Sequence, residues 1–189
     1  MAKEYYLNTP LKTEELEKLE IGDKVFITGK IYSARDAAHK KLIELLQAGK
    51  ELPFDIKGQT IYYVGPSPEK PGMVIGSAGP TTSYRMDKYS PKLLDIGLKA
   101  MIGKGERSRE VTDAIVRNKA VYLIAVGGAG VLLAQAIKAS KIIAYEELGA
   151  EALREMEVEN FPCFVGIDTT GKDIYSDGVA KYQIREESK

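Results

Sequence analysis

The spacing of apolar and polar residues predicts an alternation of strands and helices along the chain. Stretches rich in β-branched and aromatic residues predict strands, and they lie at residues 4–9, 24–32, 60–64, 73–77 and 141–144. The run over 120–126 is apolar throughout, which is typical of a strand covered on both faces in an α/β protein. Near the end of the chain, residues 163–168 and 173–175 flank a turn that contains a glycine, and they predict a hairpin.

Helices are predicted between these strands, at residues 90–101, 111–118, 131–138 and 146–156. A further helix has the most definite start in the sequence. Ser33 is followed three residues later by Asp36, which is the pattern of a capping box, and leucines at positions 42, 45 and 46 supply the buried stripe. The succession of strands and helices indicates the α/β class.

Candidate chemistry is concentrated in the segment 79–86 (Gly-Pro-Thr-Thr-Ser-Tyr-Arg-Met). Hydroxyl groups beside the guanidinium of Arg85 suit a carboxylate or a phosphate, which a guanidinium can hold with two hydrogen bonds. Downstream, the segment 102–105 (Ile-Gly-Lys-Gly) places Lys104 between two glycines, where the backbone can approach a ligand closely. The alternative is an ordinary turn with Arg85 and Lys104 in solvent.

The helix predicted after Ser33 carries a second group of candidates. Arg35 falls in its first turn, where unpaired backbone N–H groups and the helix dipole favour an anion. Arg35 and His39 are four residues apart and share a face, and Asp36 is placed to orient the His39 imidazole. The alternative is that Asp36 only caps the helix and His39 is a half-buried surface residue.

Composition excludes several classes of function. Lys plus Arg and Asp plus Glu both total 27, and this zero net charge argues against nucleic acid or an anionic membrane as the main partner. One cysteine, Cys163, and one histidine, His39, can form neither an internal disulfide nor a cluster of metal ligands. We see neither a signal peptide nor an apolar run of membrane-spanning length, so we expect a cytoplasmic protein. The length of 189 residues predicts a single domain over 1–189.

A glycine-rich turn at 127–130 joins the predicted strand 120–126 to the helix that follows. A strand, a glycine turn and a helix occur in this order in dinucleotide sites, but the third small residue that such a site needs is replaced by Leu133. We therefore interpret these glycines as a tight turn.

Four segments together resemble a known family, the β subunit of class I fumarate hydratases: residues 34–39 (Ala-Arg-Asp-Ala-Ala-His), 79–86, 102–105 and 126–129 (Val-Gly-Gly-Ala). The same unit forms the C-terminal domain of the single-chain enzymes and the β subunit of L(+)-tartrate dehydratases. The resemblance implies a swivelling β/β/α domain, with a mixed central sheet and flanking helices. It also implies a partner α subunit, which carries a 4Fe–4S cluster on three cysteines, in a hetero-oligomer such as α2β2.

The resemblance also implies roles for individual residues. Arg35, Arg85 and Lys104 would hold the substrate carboxylates and stabilise the negative charge that develops on proton removal. Thr81 matches a position with a proposed part in proton transfer, for which a threonine requires an activating neighbour. His39, oriented by Asp36, is a second candidate for proton handling. The implied reaction is the reversible hydration of fumarate to (S)-malate, with tartrate or mesaconate as alternative substrates.

Two interpretations from other classes stay open on the sequence. One is a free-standing module that binds a small anion without chemistry, and it predicts anion affinity in the absence of a partner. The other is a nucleotide-binding α/β protein that uses the glycines at 127–130. The hydro-lyase interpretation instead predicts activity only after a cysteine-bearing chain is added.

Overall fold

The computed structural model describes residues 2–69, 71–126 and 128–182, and within these residues seven strands form one sheet. The strands are β1 (Glu4–Asn8), β2 (Lys24–Ser33), β3 (Thr60–Tyr62), β4 (Ala100–Gly103), β5 (Val121–Ile124), β6 (Ile137–Ala144) and β7 (Leu153–Ile167). The helices are α1 (Thr13–Leu16), α2 (Asp36–Gln47), α3 (Ser90–Asp95), α4 (Arg109–Asn118), α5 (Gly130–Ala136) and α6 (Ile174–Tyr182), with 3-10 turns at Ser83–Met86 and Glu146–Glu151.

The sheet closes on itself. Strands β1 to β5 pair in chain order and in parallel, whereas β7 runs antiparallel to β2, β5 and β6. Because β7 pairs with both β5 and β2, strands β2, β3, β4, β5 and β7 form a closed, barrel-like sheet. Two further strands extend it, β1 beside β2 and β6 beside β7. The prediction of an α/β fold with a mixed central sheet and flanking helices is confirmed.

Alternating residues of the parallel strands supply two apolar cores. Tyr62, Ile102 and Leu123 lie in the cluster inside the closed sheet. Their neighbours Ile61, Met101 and Tyr122 point to the opposite face, where the helices cover them; the covering side chains include Leu42 of α2, Leu93 and Leu94 of α3, and Val111 and Ile115 of α4. This arrangement confirms a strand covered on both faces within the apolar run at 120–126, and the strand itself is Val121–Ile124.

The predicted capping box is wrong. Ser33 is the last residue of β2 and is buried, and it pairs in register with Tyr62 on one side and Arg154 on the other. Because these pairings keep Ser33 extended inside the sheet, α2 begins three residues later and has Arg35 as its N-cap, with no capping side chain.

Two predicted elements around the segment 79–86 also differ. Residues 73–77 form no strand, and the chain runs there as a loop. The helix predicted over 90–101 ends at Asp95, because Gly97 adopts a φ of +115°. Residues Ala100–Gly103 then form β4, which is fully buried between β3 and β5.

The end of the chain departs from the prediction in two further places. The helix predicted over 146–156 is only a 3-10 turn, broken at Gly149, and β7 starts at Leu153. In the predicted hairpin, Asp173 makes a single bridge with Ile167. The Asp173 side chain then accepts a hydrogen bond from the backbone N–H of Tyr175 at 2.9 Å, which starts α6 in place of a second strand.

None of the helices in the described part of the chain has both the length and the apolar character that crossing a membrane requires.

Candidate functional site

The candidate residues gather at the end of the closed sheet where its parallel strands have their carboxyl termini. We call this end of the sheet its edge. Strands β2, β3 and β4 are parallel and in register, with Ser33 beside Tyr62 and Tyr62 beside Ile102. The segments that follow these strands therefore leave the sheet at the same edge, where ligands bind in many sheets of parallel strands. Arg35 lies just after β2, the segment 79–86 lies in the connection after β3, and Lys104 directly follows β4.

Arg85 links two of these segments. Its Nη2 donates a hydrogen bond to Thr81 Oγ1 at 3.2 Å and lies 3.3 Å from Asp36 Oδ2. The 3-10 turn Ser83–Met86 produces this arrangement, since it brings Arg85 back over Thr81, four residues earlier. The Arg85 side chain is 36% exposed, so part of the guanidinium is accessible to a ligand.

Arg35 is held by a carboxylate that sequence reasoning missed. Its Nη2 lies 3.2 Å from Glu151 Oε1, while its Nε lies 4.0 Å from Asp36 Oδ2. The other oxygen of Glu151 accepts a hydrogen bond from the backbone N–H of Ala37 at 3.2 Å, in the first turn of α2. Glu151 therefore fixes both the Arg35 side chain and the start of the helix that carries it.

Gly65 packs against the same guanidinium. A Cβ at this position would lie 2.6 Å from Arg35 Nη1, so any side chain here would displace Arg35. Nothing in the local sequence around Glu151 or Gly65 indicates these contacts, because both residues are distant from Arg35 along the chain.

Lys104 stands beside the threonines of the segment 79–86. It forms an isolated parallel bridge with Thr82, and its carbonyl accepts a hydrogen bond from the N–H of Ser83 at 2.9 Å. The Lys104 side chain is exposed, and it makes no ion pair with any residue in the described part of the chain. Its ammonium group is therefore available to an anion.

His39 lies beneath this edge and is fully buried. Its Nδ1 donates to the Arg35 carbonyl at 2.9 Å, and its ring packs on Tyr63 and Tyr89. The predicted contact between Asp36 and His39 is wrong, because Asp36 turns outward to Arg85. Burial, with a smaller contribution from the nearby charge of Arg107, lowers the pKa of His39 to about 4, so the imidazole is neutral at pH 7.

Arg107 is a second buried group that sequence reasoning missed. Its Nε donates to Asp87 Oδ1 at 2.7 Å, and its Nη2 donates to Ser90 Oγ at 2.9 Å. The guanidinium also lies over the rings of Tyr63 and Tyr122. Because its side chain is fully buried and its donors face protein groups, Arg107 stabilises the support of the site and is not part of its exposed surface.

The family model described as Fumarase C-terminus matches residues 1–178. The chain belongs to this family. It is 44% identical over 179 residues to the anaerobic class I fumarate hydratase of Escherichia coli (strain K12). The aligned region covers 93% of this chain and 33% of that protein. It is 39% identical over 180 residues to the putative L(+)-tartrate dehydratase subunit beta of Methanocaldococcus jannaschii, covering 92% of each.

A third member, the L(+)-tartrate dehydratase subunit beta of Escherichia coli (strain K12), is 33% identical over 176 residues. The chain thus spans about a third of the matched fumarate hydratases but most of the two β subunits, with 33% coverage in the first case and 92% and 86% in the others.

The residues of this chain do not fit an iron–sulfur cluster of its own. Such clusters are held by several cysteine thiolates, and the sequence has one cysteine. Cys163 is buried inside the closed sheet, and burial raises the pKa of its thiol. Among the described residues, no group of three His, Cys, Asp or Glu side chains is placed to hold a metal ion.

Proposed function

We propose that this chain is the β-type component of a hydro-lyase, and that it supplies the cationic half of an active site for a small dicarboxylate. The main observation behind the proposal is the hydrogen bond from Arg85 Nη2 to Thr81 Oγ1 at 3.2 Å, at the same edge of the sheet as Arg35 and Lys104. Family membership supports a hydration reaction, since the matched relatives are named fumarate hydratases and tartrate dehydratases.

The three cations have complementary roles in this proposal. The exposed Lys104 and the partly exposed Arg35 and Arg85 bind the substrate carboxylates. Guanidinium groups hold carboxylates with two parallel hydrogen bonds, and a lysine adds a compact charge. When a proton leaves the carbon beside a carboxylate, negative charge spreads onto that carboxylate, and fixed cations stabilise it.

Thr81 is the proposed proton-transfer group, and Arg85 is its activating neighbour. A hydroxyl is a weak base at neutral pH, but a hydrogen bond from a cation favours its ionised form. Arg85 makes such a bond to Thr81 Oγ1. Asp36 lies 3.3 Å from the same nitrogen of Arg85, and we assign it the role of holding this guanidinium in place.

His39 has a positioning role in this account. Its ring is buried and neutral, and it contacts the main chain of Arg35 and not the surface of the site. Its direct participation in proton transfer stays a prediction of the sequence.

The other half of the site is proposed to lie on an α-type chain. A 4Fe–4S cluster, as implied by the family resemblance, would be held there, since this chain lacks the thiolates for it. The coverage of 92% with one relative named subunit beta supports a separate partner chain. We further propose that the closed sheet is the swivelling β/β/α domain of the family and that the assembly is a hetero-oligomer such as α2β2.

Fumarate is the proposed substrate, with (S)-malate as product, because the relative with 44% identity is a fumarate hydratase. L(+)-tartrate is the second candidate, favoured by the match to tartrate dehydratase β subunits over most of their length. These substrates differ in hydroxylation, which a few pocket contacts can discriminate.

The experiment is a comparison of kcat/KM for fumarate, L(+)-tartrate and mesaconate, with the complex of this chain and its α-type partner prepared without oxygen. We expect fumarate to have the highest value and the isolated chain to be inactive on all three. Equal inactivity of an iron-loaded complex on every dicarboxylate would contradict the proposal and favour a module that only binds anions.

A further inference from the structure

Two segments are the longest in the chain without a charged residue, although 29% of all residues are charged. They are residues 71–84, which lead into the candidate site, and residues 120–137, which contain β5 and α5. Charged residues normally cover a protein surface. Their absence from two stretches that are far apart in the sequence therefore suggests one shared surface.

The two segments pack against each other. The N–H of Ala78 donates to the carbonyl of Gly130 at 3.0 Å. Gly130 permits this approach because a Cβ there would lie 2.9 Å from the backbone nitrogen of Gly79. The loop before the site and the start of α5 thus form one continuous surface.

This surface carries most of the large apolar side chains that are exposed. In the described part of the chain, eight large apolar residues are exposed, and six of them lie in the two charge-free segments. On α5, Leu133 and Ala136 face the core, whereas Val131 and Leu132 are 63% and 65% exposed. One of the six, Tyr84, belongs to the segment 79–86 of the candidate site; we call the other five the apolar face: Met73, Val74, Val126, Val131 and Leu132.

The apolar face contains a groove of about 220 Å³. Three residues of the apolar face line the groove, Met73, Val74 and Val131, and the rest of its lining is Ile75, Ala134, Gln135 and Ile137. Contiguous exposed apolar surface of this kind marks sites where another protein binds.

The apolar face adjoins the candidate site. Strand β5 is in register with β4, with Ile124 beside Gly103, so Val126 leaves the sheet at the same edge as Lys104. In the other segment, Gly79 contacts Gly130 and lies two residues before Thr81. A protein that completes the site from this edge would therefore lie next to the apolar face.

We infer that the apolar face is the docking surface for the α-type chain, which corresponds to the two-thirds of the fumarate hydratases that this chain does not match. The inference rests on the proposed function, which requires a second chain at this edge. Burial of the exposed valine, leucine and methionine side chains supplies the driving force for association.

A second copy of this chain is a poorer occupant. A symmetric dimer places the same patch of both copies face to face. Such a dimer through the apolar face would bring two sets of Arg35, Arg85 and Lys104 near one another, and like charges across an interface oppose association. An α-type chain would not bring a second set of these three cations to the interface.

The test is assembly of charged variants with the co-expressed α-type chain. Leu132→Glu and Val131→Asp place a carboxylate on the apolar face, and we expect each to weaken the complex about a hundredfold or more. Affinity is measured by titration calorimetry, and assembly by size-exclusion chromatography with light scattering. Because both side chains are exposed, the melting temperature of the isolated variants should match that of the wild type.

Matched controls lie outside the two charge-free segments. Tyr6 on β1 is 65% exposed, as is Leu132, and Ile142 on β6 is 37% exposed. Tyr6→Glu and Ile142→Glu should assemble with wild-type affinity. Amide hydrogen exchange of the wild-type complex should show new protection in residues 71–79 and 128–137.

The outcomes separate this inference from the proposed function. If Leu132→Glu and Val131→Asp form an active complex with wild-type affinity, the docking surface is elsewhere while the proposed function stands. If the variants fail to assemble but the wild-type complex has no hydro-lyase activity, the surface is correct and the proposed function fails. If the isolated chain dimerises and Leu132→Glu abolishes the dimer, the face binds a second copy and the inference is overturned.

Discussion

At the scale of single residues, the two contacts of Arg85 are the centre of the proposed site. One nitrogen of its guanidinium, Nη2, both donates to Thr81 and faces Asp36. These two contacts fix the orientation of the guanidinium, and therefore the directions of its other N–H groups. A lysine in its place would keep the charge but lose the fork of donors. Geometry, and not charge alone, is therefore what Arg85 contributes.

Arg85→Lys should lower kcat of the assembled enzyme about a hundredfold or more, since loss of one preorganised donor to a developing negative charge commonly has this effect. Arg109→Gln is the control, because Arg109 is 90% exposed and faces only Asp113 within its own helix. The kcat of both variants is measured by steady-state kinetics and compared with that of the wild type. Near wild-type turnover of Arg85→Lys would remove the guanidinium geometry from the mechanism.

Thr81→Val removes a hydroxyl while keeping the shape of the side chain. If the hydroxyl transfers a proton, kcat should fall by about a hundredfold or more while the KM changes little. Thr81→Ser keeps the hydroxyl and should retain most of the activity. A parallel rise in KM with little loss of kcat would instead show that Thr81 only positions the substrate.

At the scale of elements, α2 and the 3-10 turn Glu146–Glu151 hold Arg35 between them. Glu151 uses one oxygen for the guanidinium and the other for the N–H of Ala37. Lys41 of α2 pairs with Glu147 of the same turn at 2.7 Å. The two ion pairs have different consequences, because only the first involves a residue of the candidate site.

Glu151→Gln should raise the KM for the dicarboxylate several-fold and change kcat little. Glutamine can still accept the hydrogen bond from Ala37, but it no longer holds the Arg35 guanidinium by charge, so the guanidinium is less well ordered for substrate. Glu147→Gln removes a comparable ion pair on the same turn and should leave KM unchanged. Identical KM values for the two variants would show that Glu151 has no part in positioning Arg35.

Burial of His39 in α2 makes stability depend on pH. Its pKa is about 4 in the folded chain against 6.5 as the ordinary value, so the unfolded chain binds more protons between these values, and stability falls as the pH is lowered through this window. Between pH 7.5 and 5 the loss should be about 2 kcal/mol.

The measurement is urea unfolding of the wild type and of His39→Asn at both pH values. Carboxylates titrate in both proteins, so their contribution cancels in the comparison. The wild type should lose about 2 kcal/mol more than the variant on acidification. Equal losses in the two proteins would show that His39 does not titrate in this range.

Elements with local signals were predictable from the sequence. The apolar run at 120–126 indicated β5 because its residues are covered on both faces, and helical spacing indicated α4 and α5. The start of α2 was not predictable, because the pairing of Ser33 with Tyr62 and Arg154 overrides its capping preference. The predicted end of α3 was wrong for a similar reason, because residues 100–103 form β4, which is stabilised by strands that are distant in the sequence.

The candidate site was partly predictable in the same way. Arg35, Arg85 and Lys104 were candidates because each lies in a short segment of distinctive composition, and Thr81 was a candidate through the family resemblance. The structure brings the four residues to one edge of the sheet. Glu151 and Arg107 were missed because their contacts depend on tertiary structure. The pairing of Asp36 was also wrong, since the location of Arg85 beside it is a property of the folded chain.

At the scale of the whole molecule, the closed sheet presents cations and an apolar face at one edge. Strands β2 to β5 end there, and the segments after them carry the candidate residues. The cations at this edge, Arg35, Arg85 and Lys104, are the groups that we propose bind the substrate carboxylates. This is the arrangement expected of one half of a shared active site.

A site built from both chains is tested directly by titrating the isolated α-type chain with this chain under anaerobic conditions, with fumarate hydration as the readout. We predict negligible activity of either chain alone, a rise in activity in proportion to the added chain, and saturation at equal amounts of the two. Replacement of the added chain by Arg85→Lys should preserve assembly and remove most of the activity. Full activity of the α-type chain alone, unchanged on addition, would contradict a site built from both chains.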